Sequence, residues 1–210
     1  MLFRSYHEGA LIFPCVQVQE EYRDNDDIIR MCRRRIRVPE QWYGDYLSQL
    51  GAARIGERRL KTFVEKYGMA RVRQFIVDWF DYAERRAVHA IGKLPQGTLI
   101  NTGTHDPVAP FLPDGVDITV KVEIDPEAGR ITVDLRDNPD CIDAGLNLTE
   151  ACASANAIQG VFENLEPDLP ANAGSFRRVK VRLRENCVVG LPRFPHFCSL
   201  ATPSLADGVV

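Results

Sequence analysis

The side chains of this sequence that could do chemistry concentrate between Ile131 and Ser175, in two polar loops. The first reads D-L-R-D-N-P-D-C-I-D-A-G-L-N from Asp134. It sets Asp137, Asn138, Asp140 and Asp143 after a strand-like run and Asn147 at a predicted helix start. The second, P-A-N-A-G-S-F from Pro170, carries Asn172 and Ser175. Binding and catalytic groups favour loops held by rigid elements. Carboxylates three residues apart could offer oxygen ligands to a hard cation such as Mg²⁺ or Ca²⁺. Asn-Pro-Asp is equally turn chemistry, because these side chains bond their own backbone. The turn reading outweighs the cation, since the EF-hand spacing and its glycine are missing. Asp137 and Asn147, at a strand end and a helix start, are placed to orient polar or phosphate-bearing groups where backbone N–H groups converge.

Other reactive residues carry weaker signals. His105-Asp106 could act as ligand or base, but a pair in a loop reads as a turn unless a third group converges on it. His7, His89 and His196 stand isolated. The six cysteines, Cys15, Cys32, Cys141, Cys152, Cys187 and Cys198, form no C-x-x-C pair. That spacing predicts reduced thiols and a cytoplasmic protein, and speaks against a zinc site. Cys152 reads as core. Neither G-x-x-x-x-G-K-[ST] nor G-x-G-x-x-G occurs, so no phosphate-cradling loop of those kinds is expected. The basic run Arg30, Arg33, Arg34, Arg35 and Arg37 reads as a solvated helix end favoured by the macrodipole. Glu57, on an otherwise apolar stripe, needs a partner: Arg58, Arg59 or a residue of another element.

The elements that must position these groups follow from periodicity. Residues 1–23 read as extended. Asp24 is a candidate cap for a short helix ending near Arg37, before Pro39. A long helix then carries Tyr43, Tyr46, Leu50, Ala53, Leu60, Val64 and Tyr67 at 3–4 spacing and stops at Gly68. A third helix carries Val72, Phe75, Ile76, Trp79, Phe80, Ala83, Ala87, Ala90 and Ile91 on one side. Together these two predict a helical hairpin. Residues 95–115 read as a linker. Alternating Ile118–Ile124 and Ile131–Leu135 predict a β-hairpin. A helix from Asn147, with Glu150 at capping-box spacing, shows Leu148, Ala151, Cys152, Ala155, Ile158, Val161, Phe162 and Leu165 on one face. Val179, Val181 and Leu183 predict a further strand. Ala201 to Val210 starts like a helix, with Thr202 as cap and Pro203 in its first turn.

Several segments resemble the hydantoinase B/oxoprolinase family, which includes the large subunit of acetone carboxylase. They are Gly56-Glu57-Arg58-Arg59-Leu60 ahead of Glu65-Lys66-Tyr67-Gly68, Ile131-Thr132-Val133-Asp134 with Gly145-Leu146-Asn147, Pro170 to Phe176, and Pro192-Arg193-Phe194-Pro195. Val133 to Asp140 and Gly174 to Arg178 look closer to the acetone carboxylase branch. The resemblance implies a part of a subunit several hundred residues long, which works with a hydantoinase A-type partner that uses ATP. It implies hydrolysis of cyclic amides such as hydantoin and 5-oxoproline, or carboxylation of a ketone. It also implies a divalent metal and ATP for the complete complex. In the carboxylases that metal is held in an N-terminal Gly-Gly-Thr-His-type region, and Gly103-Thr104-His105-Asp106 stands in the wrong context to replace it. No cofactor is therefore expected on this segment.

The bulk numbers bound the class. The chain has 210 residues, 45% hydrophobic and 26% charged, with a net charge of −3, which argues against a dedicated nucleic-acid binder. Charge is uneven: 17 basic and 13 acidic residues up to Leu94, 9 and 16 beyond it. No apolar run approaches the ~18–20 residues that span a bilayer. The expected fold is α+β: a helical segment over 1–94, built on a long-helix hairpin, then an α+β segment over 95–210 with a mixed sheet and packed helices. The whole reads as an incomplete part of a larger subunit whose N- and C-terminal parts lie elsewhere. The predicted function is a portion of an ATP-dependent amidohydrolase or carboxylase, with Asp137, Asn138, Asp140, Asn147, Asn172 and Ser175 nearest its site. The alternative is a catalytically inactive assembly or binding module.

Overall fold

The computed structural model describes residues 11, 15–107, 109, 112–196 and 208–210. The chain divides into two compact units, one reaching Arg73 and the other running from Gln74 to Val210. The helix predicted from Ala201, its proposed cap Thr202, and His7 and Cys198 lie outside the described residues or begin there.

In the first unit, β1 (Gln19–Glu20) and β2 (Arg23–Asp24) form a small antiparallel ribbon. Helix α1 spans Asp26–Arg35. Its cap is Asn25, whose side chain accepts from Asp27 N at 3.2 Å. The expected cap, Asp24, instead accepts from the Gln19 amide at 2.5 Å and the Tyr46 hydroxyl at 2.9 Å. Arg30 pairs with Asp27 and Arg33 with Glu40, so these members of the basic run serve as a solvated, paired helix end.

Helix α2, Pro39–Tyr67, opens with proline at its first turn and ends at Gly68, whose φ of +80° suits a residue without Cβ. It has no fully buried residue. Within this unit the stripe of α2 meets the preceding ribbon. Tyr46 bonds Asp24, and the Glu57 carboxylate accepts from Tyr22 at 2.8 and 2.9 Å and from Lys61 at 2.5 Å. Burial, with the Asp24 carboxylate beside it, pushes the Tyr46 hydroxyl up to about 12. A polar stripe residue such as Glu57 is satisfied by a phenol and an ammonium, which an apolar helix face could not supply.

Helix α3, Met69–Ile91, carries into the second unit. There it buries Ala83, Ala87, Ala90 and Ile91, while Phe75, Ile76 and Trp79 stay exposed. The sheet that follows has the order β3-β4-β5-β6. Its strands are β3 (Gly97–His105), β4 (Val116–Asp125), β5 (Arg130–Asp134) and β6 (Val179–Arg182). The hairpin expected over 118–135 is β4–β5, and the expected strand at 179 is β6. Much of the expected linker is the strand β3, which pairs with β4 from Gly97↔Ile124 to His105↔Val116. Its run of Thr, Asn and Gly lacks the apolar alternation that marks a half-buried strand.

Pairing of β5 with β6 is parallel, so the chain between them must make a long crossover. That crossover holds α4 (Glu150–Glu163) and the short α5 (Ala173–Phe176). α4 starts three residues later than expected. Its cap is Thr149, accepting from Cys152 N at 3.2 Å, so Asn147 with Glu150 is not the capping pair. Its buried face is also rotated from the expected one. Ala153, Ala157, Gly160 and Val161 are buried, Gly160 against the backbone of Val210, while Ala151 and Ala155 are exposed and Cys152 is half-buried. Small side chains let the helix axis approach β5 and β6 closely, which bulky Ile158 and Phe162 would prevent. The core they close contains Ile118, Ile131, Val133, Leu135, Leu146 and Leu148, each contributing roughly 1.5–3 kcal/mol by burial.

Gly174 marks the tightest approach in this unit. A Cβ placed there would lie 2.0 Å from the Phe80 carbonyl oxygen of α3. Gly174→Ala should therefore cost about 1–3 kcal/mol or more by forcing the backbones apart. Gly103→Ala, where a Cβ would meet nothing within 4 Å, should be close to neutral. Urea denaturation of both variants checks this; equal midpoints would remove the packing claim.

Candidate functional site

Because β5 and β6 run side by side in the same direction, their carboxyl ends open together. Ligands of open α/β sheets sit beyond such ends. Here the space is occupied by the loops 135–149 and 183–191, which are tied to each other. Val188 N donates to Pro139 O at 3.0 Å, Cys141 N to Asn186 O at 3.2 Å, and Leu148 N to Val188 O at 2.7 Å.

Two of the four candidates in the acidic loop are buried inside this knot, and a third is paired at its surface. Asn138 is buried; its Oδ1 accepts from Thr119 N at 2.7 Å, and its Nδ2 donates to Thr119 O and Leu135 O at 2.7 and 2.9 Å. It thereby staples the loop to β4. Asn147 is fully buried, accepting from Ile142 N at 2.9 Å and donating to Ile142 O and Ala144 O at 3.0 and 2.8 Å. Asp140 pairs with Arg184 Nη1 at 2.8 Å. Asp137 stands exposed, with no hydrogen-bond or ion-pair partner among the described residues.

Asn172 and Ser175 lie elsewhere, just before β6 starts and so at the other end of the parallel pair. They form a capping box on α5. Asn172 Oδ1 accepts from Gly174 N at 2.8 Å, and Asn172 N donates to Ser175 Oγ at 3.2 Å. The Ser175 hydroxyl, fully buried, lies 2.6 Å from Pro170 O. The structure thus brings Asp137, Asn138, Asp140 and Asn147 together and sets Asn172 and Ser175 apart.

The carboxylates of the loop point to different partners. Asp143 faces His196 Nε2 at 3.0 Å, while Asp140 faces Arg184. Among the described residues no group of three or more His, Cys, Asp or Glu side chains could hold a metal ion. His105 Nδ1 lies 2.8 Å from the Asp106 backbone oxygen, which is turn chemistry. The thiols of Cys141 and Cys187 are both pushed up by burial, so they stay protonated and are poor nucleophiles.

Two features of the site escaped the sequence. Arg184 donates to Arg136 O at 2.9 Å, to Glu185 O and Asn186 O at 3.1 and 3.0 Å, and to Asn138 O, besides pairing with Asp140. Asp134, at the end of β5, is gripped by Arg136 through Nε at 2.8 Å and Nη2 at 2.6 Å, with Arg182 at 3.6 Å. The Arg136 guanidinium holds the Asp134 carboxyl down at about 2. No local pattern marks Arg184, because its loop partners lie up to 48 residues away.

The hydantoinase B/oxoprolinase family model matches residues 3–206. Among curated relatives, an uncharacterized protein of Methanocaldococcus jannaschii is 26% identical over 98% of this chain and 35% of its own length. The B component of a putative D-/L-hydantoinase from a Pseudomonas species is 29% identical over 84% of this chain and 31% of its own. The beta chain of the caprolactamase of Pseudomonas jessenii is 28% identical over 97% and 35%. The chain spans about a third of the length of these relatives. Of solved structures, the ATP-dependent caprolactamase of Pseudomonas jessenii superposes with a TM-score of 0.74 at 24% identity, over 95% of this chain and 34% of that one. Nucleotide-free acetone carboxylase does so with a TM-score of 0.81 at 14% identity, over 92% and 27%. At these identities both show the fold.

Two outcomes test the site's physics. Asn147→Ala leaves Ile142 N and Ala144 O without their amide partner, while Ile142 O keeps its bond from Ala144 N, and should cost about 2 kcal/mol, read as a lower urea midpoint. Asp134 is held below its unfolded value, so its contribution is complete above about pH 4 and is lost as the pH falls toward 2. Wild type should lose about 1–2 kcal/mol over that window, allowing for solvent at the half-exposed Arg136. Asp134→Asn should flatten that part of the stability–pH curve, and an unchanged slope would sink the assignment.

Proposed function

Since this chain belongs to the hydantoinase B/oxoprolinase family, we propose that it is a segment of the B-type subunit of an ATP-dependent cytoplasmic enzyme. Its reaction is the opening of a cyclic amide, such as a hydantoin, 5-oxoproline or a lactam, or the carboxylation of a ketone. A hydantoinase A-type subunit supplies ATP-dependent activation, and the rest of the B-type subunit supplies a divalent metal. The family match over residues 3–206 carries this reading, supported by relatives named as the B component of a hydantoinase and the beta chain of a caprolactamase.

Within the segment, the loop at the carboxyl ends of β5 and β6 is the part turned toward substrate. Asp137 is its contact group, because its carboxylate is exposed and uncommitted, while Asn138, Asp140 and Asn147 hold the loop that presents it. Asn172 and Ser175 shape the start of β6. A second reading has a specific observation in its favour: most candidate side chains are committed to backbone groups, and no metal cluster occurs among the described residues. On that reading the segment is an assembly module whose chemistry resides in the remainder.

A chimera decides between them. Residues of this chain replace the matched third of the caprolactamase beta chain, and ATP-dependent lactam opening is assayed with the partner subunit. The chimera should turn over. Asp137→Asn should lower its kcat by about 10²-fold, the effect of losing an orienting hydrogen bond, with little change in melting temperature. Turnover that survives Asp137→Asn would leave the assembly module as the better account.

A further inference from the structure

One guanidinium brackets Asp137. Arg184 Nε donates to Arg136 O at 2.9 Å and Nη2 donates to Asn138 O, and these are the carbonyls of the residues immediately before and after Asp137. The same side chain is tied into its own loop through Glu185 O and Asn186 O at 3.1 and 3.0 Å. Its charge is matched by Asp140 at 2.8 Å. The backbone on either side of Asp137 is fixed by other groups too. Arg136 N donates to Asp134 Oδ1 at 3.1 Å. Pro139 restricts Asn138 to extended backbone, and its carbonyl accepts from Val188 N at 3.0 Å. Between these held neighbours the Asp137 carboxylate has no partner among the described residues.

We propose that Arg184 is the positioning residue of the candidate site: by clasping the chain on both sides of Asp137 it fixes where that carboxylate stands. The role rests on Asp137 as the contact group of the proposed activity. A loop residue whose flanking carbonyls are free can swing its side chain through several positions, and a displacement of about 1 Å can cost about 10²-fold in rate. Nε and Nη2 are separate donors in one rigid plane, so each reaches its own carbonyl while the fork keeps both in fixed relation. An ammonium has a single nitrogen on a flexible stem. Arg184→Lys therefore keeps the charge facing Asp140 and loses the bracket.

The chain itself is read first, by ¹⁵N relaxation. In wild type the Asp137 and Asn138 amides should have order parameters near about 0.85, the rigid-backbone value. In Arg184→Lys they should fall to about 0.6 or below, while Ile131 to Val133 in β5 stay unchanged. If Arg184→Lys melts early, Arg184→Gln, neutral and of similar reach, should loosen the same two amides. The caprolactamase chimera is read second. Arg184→Lys should lower kcat about tenfold with KM within about twofold. With Asp137→Asn already present it should change kcat by less than about twofold, because no placed carboxylate remains to be lost. An arginine that only stabilised the fold would lower turnover by the same factor in both backgrounds. That result overturns the role of Arg184 and leaves Asp137 in place. Full turnover of Asp137→Asn alone overturns the reading of Asp137, and the role of Arg184 falls with it. A mobile Asp137 in wild type, or amides as rigid in Arg184→Lys as in wild type, overturns the proposal whatever the turnover.

Discussion

Two parallel strands that end side by side cannot be closed by a tight turn, so the backbone leaving them must find its hydrogen bonds outside the sheet. In this protein Arg184 resolves most of that demand. One guanidinium reaches the carbonyls of Arg136, Asn138, Glu185 and Asn186 and the carboxylate of Asp140. A planar fork of five donors can serve both loops at once; an ammonium, a point donor on a flexible stem, could not. Asn138 and Asn147 complete the knot from within, each paired through both ends of its amide.

Such complete pairing has a consequence for chemistry. Buried amides fully matched to backbone groups are rigid and specific, but they have nothing left for a ligand. The acidic loop looks like a carboxylate cluster in the sequence, yet its charges are distributed. Asp134 goes to Arg136, Asp140 to Arg184 and Asp143 to His196. Asp140 and Asp143 are exposed as well, but among the described residues Asp137 is the one of these four carboxylates with no ion-pair partner, and the loop that carries it is held by buried amides. Rigid support beneath one exposed group is the arrangement expected where a side chain must be positioned precisely.

Close approach governs the rest of the second unit. Ala153 and Ala157 bring α4 down onto the sheet, Gly160 lies against the backbone of Val210, and Gly174 brings α5 against the backbone of Phe80. Bulky apolar side chains are thereby left on the outer side of α4. There Ile158, Phe162, Leu169 and Phe176 line an apolar cavity of about 650 Å³. The first unit follows a different rule: its longest helix buries nothing completely and is held to the ribbon by tyrosine–carboxylate bonds and Arg54.

Sequence alone determined the element types wherever the period was strong: the long helices meeting at Gly68, the β4–β5 hairpin, β6 and the helix of the crossover. It also carried enough ordered motifs to identify the family and to mark both polar loops. What it left open depended on partners distant along the chain. β3 could not be read because an edge strand of Thr, Asn and Gly has no alternation to display, and only its register with β4 makes it a strand. The start of α4 was misplaced because Asn147 looks like a cap until its amide is seen turned back on Ile142 and Ala144. The buried face of α4 was misjudged because bulk, rather than closeness to the sheet, sets a hydrophobicity pattern. The separation of Asn172 and Ser175 from the acidic loop was set by the parallel pairing of β5 and β6, and strand direction is a property of the assembled sheet.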